Sequence, residues 1–301
     1  MPPKSLIVKD NRLIEASYRL DIAEQRLVLL AIVRARESGI QLTADQWIQV
    51  TARDYVDACD LSPTAGYKQL KAAADSLFLR WVQMHGIDEQ TGKAGVIKTR
   101  WVSGCTYVEQ GALVRLQLAP AIIPYLTDLE SCFTSYQLKN VVQMSSRYAI
   151  RLYELMAQYK SIGTRYIELH DLRDFLDANE KSYDRIQNFK TKVLDISVDQ
   201  INQYTDLSVM YEPEKLGRSI IGYHFKIDKK QDEQPKRSNP KSTPSPALPL
   251  TLPMGLTLAE KNMIKKICAK SGESEADVLA KAQAMGCELF VALDQMTKAM
   301  I

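Results

Sequence analysis

The chain has 301 residues, 46% hydrophobic and 25% charged, with a formal net charge of +3. This is the balance of a folded protein with ordinary cores, and the length predicts two domains, or two and a small third. It excludes a membrane helix, which needs ~18 uninterrupted apolar residues, because the longest such run, Leu27 to Val33, is far shorter. Cys59, Cys105, Cys132, Cys268 and Cys287 are odd in number and form no C-x-x-C pair, which speaks against a disulfide framework or a zinc site. Each is expected to be a small buried hydrophobe in a reducing compartment. No apolar segment follows the N-terminal charges, so no signal peptide is expected and the location reads as cytoplasmic.

In chain order, the first predicted helix runs from Ile22 to Glu37. Asp21 and Glu24 form a capping box, the run from Leu27 is apolar nearly all round, and Gly39 ends it. Thr51 to Cys59 predicts a second helix. Ser62-Pro63, an N-cap and a first-turn proline, opens a third that reaches about Arg80, with Leu70, Ala74, Leu77 and Phe78 on one face. The period then changes to two. Trp81 to Met84 and Val96 to Val102 predict strands around the turn DEQTGKAG, with Lys98 and Arg100 on one face and Ile97 and Trp101 on the other. A further hairpin turns at Glu109-Gln110-Gly111, and its second strand alternates Val114, Leu116 and Leu118 with Arg115 and Gln117.

The same order then recurs. Ser145 to Ser161 and Leu169 to Leu176 predict helices. Tyr183 to Gln203 predicts a longer one with Ile186, Phe189, Val193 and Ile196 inward. Leu207 to Tyr211 and Ser219 to Ile227 predict strands joined by Pro213 to Gly217, with Leu207, Val209, Tyr211, Ile221, Tyr223, Phe225 and Ile227 facing one side. After Asp228 the composition shifts: Pro235, Pro240, Pro244, Pro246, Pro249 and Pro253 stand among Lys and Ser, as in an extended linker. Thr257 with Glu260 opens another helix, and two more are expected at 276–285 and 288–300. The predicted fold is therefore α+β, two tandem winged-helix domains plus a small helical C-terminal module on a Pro-rich linker. The expected boundaries are 1–135, 136–228, 229–256 and 257–301.

In a winged helix the second of two short helices enters the major groove and the following hairpin touches the backbone. With Ile186, Phe189 and Val193 inward, the opposite face of the helix from Tyr183 carries Asp184, Gln187, Asn188 and Thr191, flanked by Arg185, Lys190 and Lys192. From Lys181 to Lys192 there are four basic residues against one acidic, a local +3. Asn and Gln pair bidentately with adenine and Arg or Lys with guanine, so Arg185, Gln187, Asn188, Thr191 and Lys192 are the expected base readers. Lys190 and, at the wing, Lys215 and Arg218 are expected on the backbone. In the first module the groove candidates are Thr64, Tyr67, Lys68 and Lys71, with Lys93 in a turn and Lys98 and Arg100 in the wing as backbone candidates. Gly66 lowers helix propensity in that set.

Catalytic readings fail on spacing. His85, His170 and His224 are far apart and form no metal motif, so each is expected at the surface or at a cap. Gly86 to Lys93 imitates a P-loop, but its glycine spacing is one residue too long and Ala94 stands where Ser or Thr should hold Mg²⁺. Asp171 and Asp174 lack partners for acid–base work. No cofactor and no metal is expected.

Asn11 to Ile32, Gly66 to Phe78, Ser146 to Gly163, Asn188 to Asn202 and Thr205 to Ile227 together resemble, in order, the initiator replication proteins of theta-replicating plasmids, over roughly residues 5 to 228. That resemblance implies a non-enzymatic protein that binds duplex origin repeats (iterons) as a monomer, one winged helix in each of two successive major grooves. It implies a homodimer formed through the N-terminal module that represses the initiator's own operator. It also implies monomers that open the origin and load the host replicative helicase with the host initiator ATPase. By position it carries base reading to Arg185, Asn188, Thr191 and Lys192. Where family members often have consecutive arginines, Phe189 here precedes Lys-Thr-Lys, so the preferred DNA should differ. The rival readings are a dedicated dimeric repressor, a rolling-circle nuclease, which lacks its His pair and nucleophilic Tyr, and a winged-helix scaffold without DNA. The tail from Thr257 is expected to dock a replisome partner or to serve as an appendage or dimer stabiliser.

Overall fold

The structure, a computed structural model, describes residues 5–39, 42–87, 93–127, 129 and 132–230, and the single positions 267, 268, 274, 278 and 281. The chain divides into two units, Met1–Lys229 and Lys230–Ile301. In the second unit Ile267, Cys268, Val278 and Lys281 are helical. The rest of the expected tail helices and most of the Pro-rich linker lie outside the described residues.

The first unit opens with β1 (Leu6–Asp10), the single turn α1 (Asn11–Ile14) and the short β2 (Ser17–Tyr18). Next comes α2 (Ile22–Glu37) with the bounds its capping signals predict: the Asp21 backbone N–H donates to Glu24 at 2.6 Å. Leu27 to Val33 is buried throughout, so this helix is the spine of the first core. Gly39 leaves it at φ +63°. Then follow β3 (Trp47–Thr51), α3 (Ala52–Cys59), α4 (Pro63–Leu77), β4 (Trp81–Ile87), β5 (Ala94–Arg100), β6 (Val102–Val108), β7 (Leu113–Leu118), β8 (Phe133–Gln137) and α5 (Lys139–Val142). Thr51 and Asp54 cap α3 reciprocally, and Ser62 with Pro63 starts α4 as expected. A Cβ at Gly66 would collide with the Val56 side chain. That glycine gives up helix propensity so that α3 and α4 can pack closely.

Next come α6 (Arg147–Gln158), and then β9 (Thr164–Glu168), α7 (Leu169–Phe175), a broken helix and its hairpin, which form the second module. The helix expected to read bases, called the reading helix below, is α8 (Ile186–Phe189), a π-helical turn (Lys190–Asp195) and α9 (Ile196–Tyr204), not one α-helix from Tyr183; a 3₁₀ turn (Lys181–Tyr183) precedes it. The hairpin is β10 (Leu207–Leu216) and β11 (Ser219–Lys229), so Pro213 lies within a strand and the turn tightens to Gly217-Arg218.

Strand order reveals which hairpin is which. The sheet β3-β7-β6 and the sheet β9-β11-β10 have the same topology: the strand before the helix pair joins the last strand of the hairpin that follows it. The true wing of the first module is therefore β6–β7. The strands β4 and β5 belong to a separate sheet, β2-β4-β5. This corrects the expectation that Lys98 and Arg100 lie in the wing; both are on an inserted hairpin.

Four burial expectations also change. Ile196, expected inward, is 42% exposed, because the π-helical turn before it rotates the second half of the helix. Phe78, expected on the buried face of α4, is 43% exposed, because the helix stops at Leu77. Ile97 is 36% exposed because β5 is an edge strand. Ile221 is outward because the register shifts where Glu214 pairs with Gly222 and Lys215 with Ile220, and this bulge hands the inward place to Ile220. Cys59 is buried, whereas Cys105, Cys132 and Cys268 are half-buried. His170 and His224 are exposed, beside Asp174 and Glu214 respectively.

The two modules meet on a buried charge cluster. β1 pairs antiparallel with β8, Leu6 opposite Gln137 and Asp10 opposite Phe133. From this ribbon the Lys9 ammonium reaches Glu154 of α6 at 2.6 Å, with both side chains almost fully buried. Glu154 also accepts hydrogen bonds from Tyr136 and, at 3.0 Å, from Arg151. Arg151 donates to the carbonyls of Ile14 (2.7 Å), Ala16 (2.8 Å) and Phe175 (3.0 Å) and stacks on Tyr18. One guanidinium thus collects chain ends from both modules. Burial alone would raise the Glu154 carboxyl. The charges of Lys9 and Arg151 and the hydrogen bonds from Lys9 and Tyr136 outweigh it, holding the carboxyl below its usual 4.5.

Removing one partner of a buried ion cluster leaves the others unpaired. Glu154→Ala should therefore lower the unfolding free energy by about 3–5 kcal/mol, read from urea midpoints at unchanged slope. Because the folded carboxyl is the more acidic, its contribution is present above the unfolded value and lost as pH falls through the folded one. An acid unfolding curve of Glu154→Gln should lack that component.

Candidate nucleic-acid interface

The second-module reading helix is held by groups that sequence spacing does not reveal. Arg173 on α7 donates to the Tyr183 carbonyl at 2.8 Å and stacks on the Phe189 ring at 4.9 Å, while Tyr183 packs edge-on against Tyr148 of α6 at 5.9 Å. Phe189, Val193 and Leu194 are fully buried beneath. Arg185 is the N-cap residue of α8. Arg185, Gln187, Thr191 and Lys192 are exposed on the opposite side, and Asn188 is half-buried. Asn188 donates to the Ser182 carbonyl at 2.9 Å and Thr191 to the Gln187 carbonyl at 2.9 Å. These two bonds tether the side chains locally, whereas Arg185, Gln187 and Lys192 reach into solvent.

The cations predicted from sequence fall into two groups. Lys68, Arg185, Lys192, Lys215 and Arg218 are exposed and have no carboxylate partner among the described residues; Thr64 and Lys93 are likewise exposed. The other cations are engaged. Lys71 pairs with Glu109 at 2.8 Å above the Tyr107 ring, which joins α4 to the true wing turn. The hydrogen bond and charge of Lys71 hold Glu109 below the usual carboxylate range. Tyr67 packs edge-on against Tyr107 at 5.7 Å and is half-buried. Lys98 lies 5.0 Å over the Trp81 ring, and Arg100 donates to the Phe78 carbonyl at 2.9 Å beside the Phe78 ring. Lys190 pairs with Asp195 at 3.0 Å. The structure gathers Arg185 to Lys192 on one helix ahead of the wing with Lys215 and Arg218. It sets Lys98 and Arg100 apart on the inserted hairpin. Among the described residues no group of His, Cys, Asp and Glu could hold a metal ion, and no helix is long and apolar enough to cross a membrane.

Helix pair, reading helix and wing, present twice with the same strand order, define a tandem winged-helix protein. Residues 6–157 match the family model described as "Initiator Replication protein, WH1" and residues 168–227 the one described as "Initiator Rep protein, WH2". The chain belongs to this replication initiator family. It is similar to an uncharacterized 27.6 kDa protein of Escherichia coli, 23% identical over 227 residues, which are 72% of this chain and 93% of that one. It is also similar to the Pi initiator protein, solved in complex with iteron DNA, at 21% identity and a TM-score of 0.63, covering 77% of this chain and 100% of that one. That likeness establishes the fold. The WH1 domain of MSBI1.176, a replication protein isolated from a multiple sclerosis patient, is 35% identical over 36% of this chain and 82% of that one, with a TM-score of 0.33.

Arg173→Met should release the start of the reading helix while leaving the module folded. Losing a charged donor to the Tyr183 carbonyl should cost about 1.5–3 kcal/mol, and hydrogen exchange at 183–189 should quicken while exchange within α6 stays slow.

Proposed function

We propose that this chain is a plasmid replication initiator that binds duplex origin repeats as a monomer, laying its two reading helices in successive major grooves. The observation that carries this reading is the exposed row Arg185, Gln187, Thr191 and Lys192 on a braced helix, directly ahead of a wing tipped with Lys215 and Arg218. Guanidinium, amide and ammonium groups on such a helix match the donor and acceptor edges of the major groove. The unpaired wing cations match the flanking phosphates. Membership of the initiator family and the fold shared with the Pi protein, which is seen on iteron DNA, support the iteron as the target.

On this reading the protein acts in the bacterial cytoplasm without catalysis of its own. It opens the origin and brings in the host initiator ATPase and replicative helicase. It also forms a homodimer through the first module that occupies its own operator. Dimer formation is supported by β5, an edge strand whose backbone is open to pairing, and by exposed Trp81, Val96 and Leu79 around it. The Trp81 ring is already capped by Lys98, so this surface suits a second protein strand better than a phosphate.

Selection of bound sites from a random duplex library, with stoichiometry by light scattering, tests the proposal. One protomer on a non-palindromic site, with two contact clusters about 10 bp apart, is the expected result; a palindrome holding only a dimer would point to a dedicated repressor. Lys192→Ala should cost about 1–3 kcal/mol on the selected site and relax preference at one or two base pairs. Lys215→Ala should weaken all duplexes alike and reduce the salt slope by about 0.9. Trp81→Glu should abolish the dimer by sedimentation while leaving single-site affinity intact.

A further inference from the structure

The π-helical turn in the reading helix has its own clamp. In an α-helix, residues five apart lie about 140° apart around the axis and do not meet. A π turn closes on the fifth residue and brings them to one side. Here the first and last residues of the turn, Lys190 and Asp195, meet: the ammonium lies 3.0 Å from both carboxylate oxygens. Asp195 also accepts a hydrogen bond from the Tyr211 hydroxyl, which comes from β10, the first strand of the wing. The Lys190 ammonium lies 5.7 Å from the Tyr211 ring centroid, and that ring packs on Tyr223 at 5.5 Å and Phe225 at 6.0 Å. Three groups therefore lock one turn and join it to the wing.

The turn matters for which side chains point outward. One extra residue offsets the two halves of the helix by about 100°. With the offset, Phe189 in the first half and Val198 and Ile201 in the second are all buried, and the neighbours Val193 and Leu194 are buried together at the turn. Gln187, Thr191 and Lys192 stay outside. A continuous α-helix could not satisfy both halves while presenting that same set.

We propose that Asp195 and Tyr211 are positioning residues for base reading and that Lys190 belongs to their clamp rather than to the phosphate contacts. This rests on the DNA-reading role proposed above. The clamp fixes the rotation at which Arg185 to Lys192 meet the base edges, and it makes the wing and the reading helix one body.

The test uses the full chain and the duplex obtained by selection, with a scrambled duplex of equal length, titrated over a range of salt. Asp195→Asn and Tyr211→Phe should each lower the ratio of selected to scrambled affinity by about tenfold. Lys190→Met should lower it as much and leave the salt slope on scrambled duplex unchanged. The double variant Lys190→Met, Asp195→Asn should be no worse than either single one, and Lys190→Arg, which keeps a charged partner for the carboxylate, should restore most of the ratio. Tyr211→Phe removes only a hydroxyl and keeps the ring packing, so it remains informative even where a charge variant unfolds. Discrimination unchanged in Tyr211→Phe and Asp195→Asn, with Lys190→Met flattening the slope by about 0.9 on every duplex, would overturn the clamp and return Lys190 to the phosphates. A wild-type chain that prefers no duplex at all would instead overturn the DNA-reading role itself, and the clamp with it.

Discussion

Glu154 holds the molecule in register. A buried carboxylate facing Lys9 of the N-terminal ribbon and Arg151 of its own helix is a poor way to add net stability, since burying such ions costs about as much as their attraction returns. What it supplies is uniqueness. Apolar side chains slide over one another, but Arg151 is satisfied only where Ile14, Ala16 and Phe175 present their carbonyls together. Those carbonyls come from the start of the chain and from the end of α7. Arg165 makes a second bridge of the same kind, reaching Glu15 at 2.7 Å and the Leu155 carbonyl at 2.8 Å. On the proposed reading, two helices in successive major grooves need a fixed offset, and directional bonds between the modules set one.

The modules share a topology and use it differently. In the first, the wing turn at Glu109 is tied to α4 by Lys71, and β4 and β5 are inserted between reading helix and wing as a separate sheet. Two cations of that insertion, Lys98 and Arg100, rest on aromatic rings. In the second, the hairpin of β10 and β11 projects well beyond the sheet, with Leu216 at its tip 73% exposed and Lys215 and Arg218 beside it. Gly222 lets the Tyr166 ring lie across the sheet where any Cβ would collide with it, which stiffens the hairpin at its root. The second module is thus built for reach, whereas the first ties its wing turn back to its own helix.

Much of this was legible in the sequence, and the exceptions have a common cause. The bounds of α2, α3 and the start of α4 follow from caps, which act within four residues. Phe189 and Val193 as core positions follow from helical period. The strands β1, β3, β8 and β9 escaped notice because they are short and their partners lie far away in sequence. The wing of the first module was misplaced for the same reason, since alternation identifies a strand but not its sheet. The outward turn of Ile221 depends on a single bulge, and Phe78 on where α4 stops. Tyr211 is legible only as an inward strand position, and Asp195 carries no signal, because the spacing of five that unites Lys190 with Asp195 is meaningless unless the helix is already known to widen there.

Charge placement also decides what salt dependence can report. An exposed lysine already paired with a carboxylate, such as Lys71 with Glu109, carries little condensed counterion influence onto a phosphate, because engaging the phosphate frees a carboxylate nearby. An unpaired one, such as Lys192 or Arg218, displaces a counterion outright. The same count of basic residues therefore gives a different slope depending on internal partners. The net charge is only +3; among the described residues Arg185, Lys192, Lys215 and Arg218 stand exposed without a carboxylate partner on the reading helix and its wing, as Lys68 does on α4. On the role proposed for it, long-range attraction to DNA is weak at so small a net charge, and discrimination rests on the contacts those side chains make in the groove.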